Sequence, residues 1–305
     1  MLRPVGKFGL LRVLLSLLAR LRLELLMALV LALITKPISP TLAAQLSPSL
    51  SLGFLGIAVS IFLGVRSNQA YGRWWEARTL WGQLRNESRN WRGQLEALIS
   101  PEPNAKQAQQ RLIHQQVLLV WRVNQELRPT WPLPAPLQRG LKDLSESVHP
   151  SGAELSSNAL LVEQAKGIHT LTSQGHINHL GQLSMLGVLD RITSAIGGLE
   201  RIRAQPAPSS YVAFSRLAAW SFGYMVFLNL EASDATTPLG GAVGLAVMVA
   251  FIAADRLATF LDDPFTDIST GLPLNRICTT ISGNLLGNAH PLARPIEPDS
   301  ACQWH

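Results

Sequence analysis

The sequence predicts an all-α integral membrane protein with four spans and a large helical region in water between the second and third. Three observations predict it. Hydrophobic residues make up 47% of the 305 residues, and the mean hydropathy is +0.19. The apolar excess is concentrated before Arg66 and again between Tyr211 and Ala254, with a polar stretch rich in Gln, Arg and Ser between them. No stretch alternates Val, Ile and Thr at the period of two that a sheet needs.

The elements follow in order. Leu10 to Leu18 is apolar but bounded by Arg residues, and it is shorter than the roughly 20 residues that cross a bilayer. It fits an interfacial helix on the inner leaflet. Leu21 to about Ile38 makes the first span once Glu24 is tolerated near the interface, and Pro37 and Pro40 end it. Thr41 to Pro48 is an uncharged external loop. Leu50 to Val65 is the second span, and Arg66, the first charge after Lys36, marks its return to the inner interface. Tyr211 to Leu230 and Leu239 to Ala254 are the third and fourth spans, joined by a loop that carries Glu231 and Asp234. Arg3, Lys7, Arg12, Arg20 and Arg22 precede or open the first span, so the positive-inside bias puts both termini in the cytoplasm. Lys36 is the one count against that orientation.

The stretch from Asn68 to about Ser210 predicts several helices. Trp81, Leu84, Trp91 and Leu95 recur at helical spacing between Arg85, Arg89 and Arg92. Arg111 to Leu127 is amphipathic, four prolines follow between Pro129 and Pro136, and Leu137 to Val148 is a short helix. Glu163 to Arg203 divides into two helices at a hinge near Gly175. Trp74 and Trp75 fit either an aromatic belt at the membrane surface or the packing of a helix core. The resulting organisation is a single domain over 1–305: an interfacial helix and spans 1–2 in 1–66, a helical cytosolic region in 67–210, spans 3–4 in 211–255, and a polar cytosolic tail in 256–305.

Composition narrows the function. The net charge of +6 is accounted for by the positive-inside bias, without nucleic acid as a partner. Cys278 and Cys302 form neither a disulfide framework nor a metal cluster. No nucleophile set, phosphate loop or metallopeptidase helix is visible, so no enzymatic activity and no cofactor are expected. His176 and His179 stand at i, i+3 as a possible metal pair without a third ligand nearby. Close to a central axis they would instead tune ion passage and its pH response.

The most informative stretch is the second span. Ile57, Ile61 and Val65 fall on one helix face, and Gly56, Ala58, Ser60 and Gly64 between them are small enough for neighbouring helices to pack closely. Around a shared axis the three larger residues would stack as apolar rings that pass ions by admitting water. Ordinary packing between spans is the competing reading. Gly240, Gly241 and Gly244 in the fourth span read as close-packing positions.

Phe62-Leu63-Gly64-Val65-Arg66, then Asn68, Ala70, Tyr71, Arg73, Trp74, Trp75, Glu76, Ala77, Arg78 and Trp81-Gly82, resemble bacterial bestrophins. So do Gly197-Gly198-Leu199-Glu200-Arg201 with Pro206-Ala207-Pro208, and Asp262-Asp263-Pro264-Phe265 followed by Leu272-Pro273-Leu274, Ile277 and Cys278. The matches run in the same order over nearly the whole chain. The resemblance implies a homopentameric channel in a bacterial inner membrane, with permeant small ions and the lipid bilayer as further partners. By position it makes Ile57, Ile61 and Val65 the pore neck, and Leu180 the cytosolic aperture. Val65 is smaller than the aromatic residue often found at that place, which widens the lower neck. Anions such as chloride or bicarbonate are the family's expected ions. A monovalent cation channel of the same architecture and a secondary transporter are the alternatives. After Pro264-Phe265 only Asp267 carries a carboxylate among the next five residues. That is too few for calcium, which takes about six to eight oxygens, so no calcium gating is expected.

Overall fold

The computed structural model describes residues 15, 18–38, 41–42, 49–148, 155–233, 239–266 and 270–294. Arg3, Lys7, Arg12, most of the Leu10–Leu18 stretch, the greater part of the first external loop, Asp234, Asp267 and Cys302 lie outside the described residues. The described helices are α1 (Arg22–Thr35), α2 (Ser49–Leu98), α3 (Pro103–Leu127), α4 (Ala135–Val148), α5 (Ser157–Ser173), α6 (His179–Ala204), α7 (Ser209–Ser233), α8 (Leu239–Asp262) and α9 (Leu274–Leu286). No strand occurs among the described residues. The chain divides into two units, residues 1–74 with 206–263, and residues 75–205 with 264–305.

In the first unit the usual sidedness of a helix is inverted. Leu21, Glu24, Ala28, Ala32 and Thr35 of the first helical segment point inward, whereas Leu23, Leu26, Met27, Leu33 and Ile34 are exposed. Small residues inside and large apolar ones outside suit a solvent that is itself apolar. Three described helices are long and apolar enough to cross a membrane: α2, α7 and α8. Helix α1 has 14 residues, about 21 Å at 1.5 Å per residue, so it is shorter than the expected first span. It tightens into a 3₁₀ turn over Lys36–Ile38, where Pro37 stops the α-helical ladder.

Helices α7 and α8 form an antiparallel pair. A Cβ on Gly223 would stand 2.9 Å from the Cα of Met248, and one on Gly244 would stand 2.8 Å from the Cα of Phe227. The two backbones therefore meet through glycine. Ala28 and Ala32 of α1 pack against Phe227, Leu228, Met248 and Ile252. Val59 and Leu63 of α2 pack against Ala219 and Phe222 of α7. At one end of the first unit, Lys36 Nζ lies 3.5 Å from Glu231 Oε1.

The opposite end of the first unit is held by charge. Arg66 is 2% exposed; it donates to Ser215 Oγ and Asp255 Oδ1, and through Nη2 to Thr259 Oγ1 at 2.9 Å. Ser215 Oγ donates in turn to Asp255 Oδ1 at 2.8 Å, and Asp262 Oδ2 lies 3.7 Å from Arg66 Nη2. Arg66, expected at the inner interface, is a buried junction of α2, α7 and α8. Glu24 is buried likewise and accepts from Arg256. Consecutive residues of α8, Asp255 and Arg256, thus bind different helices.

The second unit is built around α3. Every residue from Gln115 to Trp121 is buried, the pattern of a helix covered on all sides. Helices α4, α5 and α9 pack against it. The sequence places 256–305 in a polar tail, yet α9 forms within it and buries Leu274, Cys278, Ile281 and Leu285. Several polar groups in the core are joined: Gln116 Nε2 donates to Ser88 Oγ at 2.9 Å, Gln164 Nε2 to Gln116 Oε1 at 2.9 Å, and Trp121 Nε1 to Ser282 Oγ at 3.0 Å. Arg92 Nη1 donates to the carbonyls of Asn284 and Leu285 at the end of α9, where a cation also suits the helix dipole. Cys278 is fully buried, and its surroundings push the thiol up, so it packs as an apolar side chain.

His290 Nδ1 accepts from the Leu292 amide at 3.2 Å. Burial holds both His114 and His290 below the usual histidine range, and His290 adds to the effect on His114.

Three outcomes follow from this packing. Gly244→Leu lowers thermal stability in detergent by roughly 1–3 kcal/mol, because α7 must move away. Arg66→Met costs roughly 3–5 kcal/mol by leaving Asp255 buried without its partner, and Arg66→Met with Asp255→Leu recovers part of that loss. For the histidines the folded state favours the neutral ring. Stability is therefore full above about pH 6.5 and falls as the pH drops through that value, because the unfolded chain takes up protons first. Thermal melts from pH 8 to 5, with His290→Gln reducing the slope, check this.

Candidate functional site

Helix α2 has a buried edge in the first unit made by Val59, Leu63, Arg66 and Ala70. The steps between these residues are four, three and four, the spacing of one helix face. Ile57, Ile61 and Val65 lie on another. At 3.6 residues per turn the centres of the two faces are about 170° apart. The exposures agree: Ile57 is 60%, Ile61 63% and Val65 48% exposed, against 6% for Val59 and 5% for Leu63. The three residues therefore come together as one outward apolar stripe. The ordinary reading, packing between spans of the same chain, does not hold for them within the described residues.

The small residues of this segment divide between two roles. A Cβ on Gly56 would lie 2.7 Å from Phe222 Cζ, so this glycine admits α7. Gly53, Gly64 and Gly72 have no atom within 4 Å of the place a Cβ would take, so they stay open to a neighbour outside the chain. Phe62 flanks the stripe, with its ring centroid 5.1 Å from that of Tyr211 and 5.2 Å from that of Phe214.

Leu180 belongs to the second unit, in the first turn of α6. Gly175 takes a positive φ of 77° and turns the chain between α5 and α6. The side chain of Asn178 then caps α6 by accepting from the Gly181 amide at 2.7 Å. Ile177 and Met185 are buried on the inner side, and Leu180 is left 78% exposed, with Leu183 beside it at 67%. His176 Nδ1 lies 3.3 Å from Ser100 Oγ and 3.4 Å from Glu102 Oε2, whereas His179 is exposed. Among the described residues no group of three His, Cys, Asp or Glu side chains could hold a metal ion.

Trp75 is exposed, with the Arg78 guanidinium 5.8 Å from its ring centroid. It therefore does not belong to a helix core, unlike Trp81 and Trp91, which are fully buried. The Arg66 junction escaped sequence reasoning. Its signal was a pair of single charges of opposite sign, Arg66 and Asp255, each ending an apolar run.

A family model described as bacterial/fungal bestrophin protein matches residues 7–287. A voltage-dependent anion channel-forming protein of Ralstonia nicotianae is 30% identical over 236 residues, 74% of this chain and 72% of its own length. A protein of the same description from Escherichia coli (strain K12) is 28% identical over 235 residues, 76% of this chain and 74% of its own length. The crystal structure of a bacterial bestrophin homolog from Klebsiella pneumoniae superposes with a TM-score of 0.72 at 27% identity, covering 92% of this chain and 99% of that one. A resemblance first seen in short motifs thus extends over the fold, and the chain belongs to the bacterial/fungal bestrophin family.

Proposed function

We propose that this chain forms an anion channel, a homopentamer in a bacterial inner membrane whose central pathway is lined by α2. The outward apolar stripe of Ile57, Ile61 and Val65 carries this reading. A stripe opposite the helix's own packing edge, with open glycines at Gly53, Gly64 and Gly72 beside it, suits the close approach of further copies. Rings of these residues make a neck whose barrier is dehydration of the ion. Leu180 makes a second, cytosolic aperture. Four spans, with α1 as the first, leave both termini in the cytoplasm. Residues 1–66 and 211–255 lie in or on the membrane, 67–210 and 256–305 lie in the cytosol, and the whole is one bestrophin-like domain. Permeation is passive and requires neither catalysis nor a cofactor.

An uncharged neck does not by itself set the sign of the ion. The names of the relatives, anion channel-forming proteins, favour anions such as chloride or bicarbonate. In planar bilayers under a salt gradient, the purified protein gives a reversal potential near that of chloride. A reversal near the sodium or potassium potential establishes the cation-selective alternative, and saturable flux with strict ion coupling a transporter. Ile61→Ala changes conductance or selectivity, and an unchanged current removes that residue from the pathway. Native mass spectrometry in detergent returns a complex of five 33.3 kDa chains; a lone monomer overturns the pathway.

A further inference from the structure

We infer that the second unit carries a binding site for small carboxylates with an apolar body, in a cavity between α3, α4 and the start of α5. Every lining residue belongs to that unit, so the inference does not depend on the channel reading. The cavity measures about 440 Å³, within the range of about 300–1,000 Å³ that small-molecule sites occupy. Its two long walls repeat one pattern. On α3 the lining runs Leu118, Trp121, Arg122, Gln125. On α4 it runs Gln138, Leu141, Lys142, Ser145. Both sets step by three, one and three, which is one face of each helix. Each face therefore sets a buried apolar side chain beside a cation. Leu118, Trp121 and Leu141 are buried, and Leu160 of α5 completes an apolar floor with them. Arg122 is half-buried and Lys142 exposed.

The walls are held in place without a ligand. Trp121 Nε1 donates to Ser282 Oγ at 3.0 Å, which fixes the indole. The Ser157 amide donates to Glu126 Oε1 at 3.0 Å and ties the start of α5 to the end of α3. Gln138 Nε2 donates to the Leu133 carbonyl at 2.8 Å, just before α4. Charge then selects the class of ligand. The lining holds two cations and one carboxylate, Glu146, whose Oε1 lies 3.9 Å from Lys142 Nζ. That pair is exposed and therefore weak. The balance stays positive, so an anionic group is favoured over a cationic one. The planar guanidinium of Arg122 presents paired donors that match a carboxylate. A floor of leucines and one indole suits an aromatic or branched body.

The test uses the full-length protein in detergent at neutral pH, with binding read by titration calorimetry. Phenylacetate and 4-methylpentanoate are the probes, each a carboxylate on a short apolar body. Both bind saturably, and both raise the melting temperature, as a ligand of the folded state must. Phenethylamine, with the ring but the opposite charge, and acetate, with the charge alone, bind about tenfold more weakly or less. Arg122→Gln weakens the carboxylates about tenfold, the loss of a charge-assisted hydrogen bond. Lys142→Gln weakens them less, because its ammonium is exposed. Gln125→Trp fills the cavity and abolishes binding, and Arg139→Gln, on α4 outside the lining, keeps it. Thermal melts without probe check that each variant is folded. No saturable binding of either carboxylate, an affinity unchanged in folded Arg122→Gln or Gln125→Trp, or equal affinity for phenethylamine overturns the inference. Ile61→Ala, the variant that tests the conduction pathway, leaves carboxylate binding unchanged, so the two readings fail separately.

Discussion

The ion pair between Arg66 and Asp255 constrains the first unit more than any other contact. Both side chains are 2% exposed, and a charge in an apolar interior is tolerated only when it is paired and hydrogen-bonded. Ser215, Thr259 and Asp262 are further partners of Arg66. Apolar contacts are non-directional and would allow α2 to roll about its axis. A guanidinium that must reach two carboxylates and two hydroxyls does not. It fixes the rotation of α2 within the unit and thereby turns Ile57, Ile61 and Val65 outward. Apolar residues form the stripe, but a polar junction aims it.

The two units solve the burial problem in opposite ways. The first puts alanine and glycine at its helix contacts and leaves many of its leucines outside, as a solvent of lipid tails permits. Its cohesion comes from close backbone approach, Gly244 on Phe227 and Gly223 on Met248, and from the charge pairs Arg66–Asp255 and Arg256–Glu24. The second unit buries Trp81, Trp91 and Trp121, and the area removed from water supplies the stabilisation there. Several of its buried polar groups are linked, as in the chain from Ser88 through Gln116 to Gln164. Helix α2 supplies core residues to each unit in turn: Val59, Leu63, Arg66 and Ala70, then Ala77, Trp81, Leu84, Ser88, Trp91 and Leu95. Spacings of three and four run through both sets, so one helical pattern serves two solvents.

In the proposed pathway an apolar neck taxes every hydrated ion and distinguishes little between signs.

Much was legible in the residues alone. Hydropathy marked α2, α7 and α8 as helices able to cross a membrane, because a bilayer demands length and apolar composition whatever the neighbours are. Helical spacing marked the buried edge of α2 at Trp81, Leu84, Trp91 and Leu95, and it put Ile57, Ile61 and Val65 on one face, because periodicity is a local property. What spacing could not tell was whether that face met the chain itself or something outside it. Only the tertiary structure decided this, because the answer depends on which residues far along the chain fill the opposite side. The same reason hid the burial of Arg66 and Glu24, whose partners Asp255 and Arg256 lie far along the chain, and the docking of α9 in what reads as a polar tail. The length of a span and the face of a helix are written in neighbouring residues; the direction in which that face points is set by distant ones.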